Sequence, residues 1–171
     1  MDLTHIHLMI THFPIFGTLI GSAFLAYGIF SKQDAIKQAS FVLIILIALA
    51  TVPVLISGSG AADAFAPFVG ELDRQIIKEH KELAEKTLWL SALMGGLSLA
   101  SFITLLKKNN LAYALSITTL LITLITFGAF SKVGNLGGQI RHTEIRHMPQ
   151  TDTNQTGDHN ESANDQHESA H

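Results

Sequence analysis

Three histidines, His5, His7 and His12, fall within eight residues near the start of the chain, and His80 and His142 stand far along it. Imidazole is the commonest metal ligand and also the usual axial ligand of haem b. The spacing limits how these residues could combine. In one continuous helix His5 and His12 share a face but stand about 10.5 Å apart along the axis, while His7 points the other way. A single site must therefore draw on different parts of the chain. The natural set is His12, His80 and His142, with His7 as a fourth member if the first helix begins only near Thr11. Such a set would hold haem b between two imidazoles, or copper or zinc among three.

Each histidine also has a plainer role. His5 suits an interfacial residue bonded to water or headgroups. His12, flanked by apolar residues, is equally a hydrogen-bonded packing residue. His80 lies on an apolar stripe and is equally a donor to a carbonyl of a neighbouring helix. His142 and His147 lie in a polar stretch. His159, His167 and His171 lie in a tail whose composition suits solvated spacing, since a disordered segment must pay to organise ligands.

The elements that position these residues are membrane spans. The 171 residues are 47% hydrophobic and only 15% charged, against about 25% charged in an ordinary soluble domain. A bilayer core of about 30 Å needs roughly 20 helical residues. Four apolar runs meet that need: 13–30, 41–57, 88–106 and 111–130. Pro14 falls either in the first turn of a helix starting near Thr11 or at a kink of a longer one. Pro53 leaves the Leu49 carbonyl without its usual donor, and Thr51 is placed to compensate. Gly17 and Gly21 allow close helix approach, and Ala92, Gly96, Ala100 and Thr104 form a smooth face in the third span. Ser116, Thr119, Thr123 and Thr126 share one face of the fourth span, where hydroxyls bond backbone or neighbours.

Residues 31–38 and the tight turn Lys107, Lys108, Asn109 and Asn110 are the short connections. Residues 58–67 read as a loop. Beyond them Leu72, Ile76, His80, Leu83, Ala84 and Thr87 make one stripe among charged neighbours, which predicts a short amphipathic helix leading into the third span. The fold class expected is all-α: an integral membrane four-helix bundle in 1–147 and a disordered polar tail in 148–171. The lysines of the two short connections place those connections in the cytoplasm. Both termini and every histidine then lie on the outer, periplasmic side.

The segments His7-x-x-x-x-His12-Phe13-Pro14-Ile15, His80-Lys81-Glu82 and Gly137-Gly138-Gln139-Ile140-Arg141-His142 resemble a family of four-span bacterial membrane proteins known as a domain of unknown function, DUF2231. The resemblance covers about 1–147; Leu8 stands where that family often has proline. It implies a four-helix domain of the bacterial inner membrane in a redox setting outside the cytoplasm.

Several function classes are excluded or disfavoured. No cysteine is present, so thiolate-held clusters, c-type haem attachment and thiol catalysis are ruled out. The net charge of −3 provides no footprint for nucleic acid. No acidic or basic residue lies inside a span, which argues against a transporter. No nucleophile elbow, phosphate loop or His-Glu-x-x-His motif occurs. Two readings remain. One is a histidine site on the outer face, binding haem b or a transition metal for electron transfer with a redox partner. The other is a non-catalytic scaffold or accessory subunit of a membrane complex, whose histidines are structural.

Overall fold

The computed structural model describes residues 10–65 and 71–141, with side chains described for 10–58 and 74–139. Among the described residues four helices run in order: α1 (His12–Phe30), α2 (Asp34–Phe65), α3 (Glu71–Leu106) and α4 (Ala112–Arg141). There is no strand among the described residues. All four helices are long and apolar enough to cross a membrane. α1 packs on α2 and α4, and α3 packs on α2 and α4, so the helices form a ring of four.

The inward faces repeat in alternating steps of four and three. In α3 the buried positions are Thr87, Ser91, Met94, Ser98, Ser101 and Leu105. In α4 they are Ala112, Ser116, Thr119, Thr123, Thr126 and Phe130. This near-3.5-residue period lets side chains of neighbouring helices interlock along a four-helix seam. Much of the interior is hydroxyl-bearing. Most of these hydroxyls are satisfied locally: Thr123 Oγ1 donates to the Thr119 carbonyl at 2.7 Å, and Thr126 Oγ1 to that of Ile122 at 2.7 Å. Two pairs join helices, Thr51 with Ser91 at 3.2 Å and Ser101 with Thr119 at 2.8 Å. The outside is apolar instead: Phe30 and Trp89 are 84% and 78% exposed.

Small residues set the closest approaches. A Cβ on Gly17 would come within 2.8 Å of Ile47, and one on Gly21 within 3.0 Å of Ile44, so α1 and α2 approach closely there and a larger residue would push these isoleucines aside. Pro14 lies in the first turn of α1, where its missing N–H costs nothing, and it is buried.

Several expectations need correction. Residues 58–65 are not a loop, because α2 continues through them to Phe65; 66–70 lie outside the described residues. Among the described residues no separate amphipathic helix precedes the third apolar run. The charged stretch is the start of one continuous 36-residue helix, α3. The face of α3 turned inward is not that of Ala92 and Gly96, which are exposed, but the one led by Ser91 and Met94. The close approach is at the next residue, Gly95, where a Cβ would lie 2.7 Å from the Ala48 Cβ. Thr51 does not serve the Leu49 carbonyl; its hydroxyl donates to Ile47 one turn back, at 3.0 Å. The polar tail 148–171 lies outside the described residues.

Candidate functional site at the histidine end

Three helices meet at the end of the bundle opposite the short turns. α1 contributes its first turn, α3 its segment around His80, and α4 the turns from Val133 to Gln139. Gly134 lets α4 approach α1, since a Cβ there would come within 2.9 Å of Ile15 Cδ1.

His80 continues the inward stripe of α3, seven residues before Thr87, and is half-buried. Its Nδ1 lies 3.1 Å from the carbonyl oxygen of Val133 on α4. A carbonyl only accepts, so Nδ1 carries the proton, and in the neutral ring Nε2 holds the lone pair. Gly137, one turn beyond Val133, makes room for the ring: a Cβ there would sit 3.3 Å from His80 Cε1. The sequence shows Gly137 as part of a glycine pair but not its service to His80. The signal available is its spacing of four from Val133 on a helix facing His80.

His12 is placed differently. It is exposed and shares the outward stripe of α1 with Phe16, whose ring centroid is 6.4 Å away. Its Nδ1 is 3.4 Å from the hydroxyl of Thr11, a long contact between chain neighbours. The inward position at this level belongs to Pro14, about 200° around the helix from His12. His7 and His142, and with them His5, His147 and the tail histidines, lie outside the described residues.

A haem held by two histidines needs imidazoles facing each other across a flat slot. The two described candidates do not make such a pair, because His80 turns inward over Gly137 while His12 turns outward beside Phe16. No three His, Asp or Glu side chains gather at metal-binding distance among the described residues. What the geometry does provide is one oriented imidazole bridging two helices.

No family model, curated protein or solved structure matched the chain.

Proposed function

We propose that the chain is an integral membrane protein that acts as a non-catalytic scaffold or accessory subunit, with His80 as a structural latch between α3 and α4. The observation that carries this reading is the His80–Val133 hydrogen bond, made across helices by a half-buried ring that Gly137 accommodates. The interior supports it. Its hydroxyls are mostly committed to their own helix backbones, and no acidic or basic residue lies within 13–30, 41–57, 88–106 or 111–130.

The exterior supports membrane embedding. Exposed Tyr27 and Tyr113 lie near the short turns, and exposed Trp89 and Lys132 lie towards the other end. Aromatic and cationic side chains mark the two borders of a bilayer. The rise from Trp89 to Leu106 is about 26 Å and from Tyr113 to Lys132 about 28 Å, close to a hydrocarbon core of about 30 Å. We place the protein in a bacterial inner membrane, with the short turns cytoplasmic and the histidine end periplasmic, as a relative of the DUF2231 family.

A second reading is favoured by the same ring. A carbonyl that fixes the proton on Nδ1 also readies Nε2 to ligate haem b or a transition metal. The remaining ligands would then come from His7 or His142.

A reduced-minus-oxidised absorbance spectrum, with metal analysis of the same detergent-purified protein, separates the two. Cells supplied with ample haem and metal should yield a featureless spectrum and no stoichiometric metal. A Soret and α-band pair, or one bound metal per chain, lost on His80→Ala, would replace the latch with the cofactor site.

A further inference from the structure

The end opposite the histidines is closed by two turns of the same construction. After α1, Gln33 N–H donates to the Gly28 carbonyl and Lys32 N–H to that of Ile29. After α3, Asn109 N–H donates to the Thr104 carbonyl and Lys108 N–H to that of Leu105. Both turns are therefore the six-to-one and five-to-two pattern that ends many helices through a left-handed residue. Glycine is the usual occupant of that residue because it has no Cβ to crowd the carbonyl. Here both positions are lysine, with φ of 54° at Lys32 and 50° at Lys108. A residue held in an unfavourable backbone region at two equivalent places points to a use for its side chain.

The charge around them is one-sided. Lys32, Lys107 and Lys108 are exposed, and no carboxylate pairs with any of them among the described residues. The acid of this end, Asp34, is taken by Lys37 at 2.7 Å. Lys37 is itself anchored, its stem lying where a Cβ on Gly28 would come within 3.0 Å. Exposed Tyr27 and Tyr113 stand about one helical turn to the apolar side of these lysines, at headgroup level.

We propose that this end is a docking surface for anionic phospholipid headgroups of its own leaflet, with Lys32 and Lys108, aided by Lys107, contacting lipid phosphates. The occupant follows from charge complementarity: unpaired lysines rise from backbone positions fixed by the two turns, next to tyrosines that suit headgroup depth. The inference rests on the membrane embedding proposed above.

The test uses the full chain in nanodiscs of phosphatidylcholine with a minor fraction of phosphatidylglycerol, and native mass spectrometry of the lipids retained. Wild type should retain phosphatidylglycerol in excess of its share. Lys32→Gly with Lys108→Gly should lose that excess, roughly fivefold per lysine. Glycine relieves the left-handed backbone, so this variant should melt at or above the wild-type temperature in neutral detergent. Lys32→Arg with Lys108→Arg should keep the lipid. No excess in wild type, or full excess in the glycine variant, would overturn the proposal. Retention of inorganic phosphate, supplied at millimolar concentration in detergent, to the same extent and with the same loss in the glycine variant would overturn the lipid as the ligand. A chain that is stripped from membranes by alkaline carbonate would instead fail the embedding itself, and that outcome is read separately.

Discussion

Gly95 of α3 and Ala48 of α2 stand so close that a single added methyl group would come within 2.7 Å of the Ala48 Cβ, while the same methyl on Gly96 would meet nothing within 4 Å. Two adjacent glycines thus report opposite surroundings. Gly95→Ala should lower the thermal midpoint in detergent, with an overpacking cost of about 1–3 kcal/mol. Gly96→Ala should leave it unchanged or raise it, since alanine is the better helix former by about 1 kcal/mol. Equal effects would mean that α2 and α3 do not meet here.

The latch can be isolated by a double-mutant cycle. His80→Ala removes a part-buried inter-helix hydrogen bond, worth about 1 kcal/mol. Gly137→Ala crowds the ring at Cε1 and should also destabilise. In the His80→Ala background the Gly137→Ala penalty should vanish, because the crowded atom is gone. Additive losses in chemical or thermal unfolding would show that Gly137 serves something other than His80.

Ser98 is fully buried, and its Oγ is without a hydrogen-bond partner among the described residues. Removing an unsatisfied buried hydroxyl removes its desolvation cost. Ser98→Ala should therefore be neutral or stabilising, by up to about 1 kcal/mol. Ser101→Ala breaks the 2.8 Å bond to Thr119 and should destabilise by a similar amount. A loss at Ser98 as large as that at Ser101 would mean that Ser98 binds something, such as a buried water.

Orientation is directly measurable because the chain has no cysteine. Asn110→Cys should be shielded from a membrane-impermeant thiol reagent in intact spheroplasts, and Gln75→Cys should be labelled. The reverse pattern would turn the protein over. Arg74, Lys78, Lys81, Lys86 and Lys132 on the histidine side make that reversal a real contest under the rule that cationic loops stay inside.

What could be read from residue types alone was uneven. The four long apolar helices were legible because a helix apolar on all sides over the thickness of a bilayer suits lipid far better than water. The inward face of α4 was legible through Ser116, Thr119, Thr123 and Thr126, all of which are buried. The same signal exists in α3 at Ser91, Ser98 and Ser101. There the stripe of Ala92 and Gly96 points instead to a face that is exposed. In a bundle whose outside is as apolar as its inside, hydrophobic periodicity fades, and hydroxyls mark the interior better than small size does. The extension of α2 past Gly58 was not legible, because Gly58 and Gly60 carry low helix propensity that the long helix overrides. At the histidine end, Pro14 gave no hint that it takes the inward position and leaves His12 on the outside. His80 was legible as a residue on an apolar stripe. Its partner was not, because the acceptor is a backbone carbonyl, which every residue possesses.

The two matching turns also bear on how the protein is made. Only three residues separate Phe30 from Asp34, and five separate Leu106 from Ala112. In a bilayer, neither helix of a pair could settle far from its companion. The chain is thus two helical hairpins, α1 with α2 and α3 with α4, each with both open ends on one side. If the hairpins insert as proposed, sidedness would be chosen twice rather than four times. The hydroxyl-to-hydroxyl bond from Thr51 to Ser91 joins the two hairpins, so on the proposed membrane reading it would form only after both had inserted.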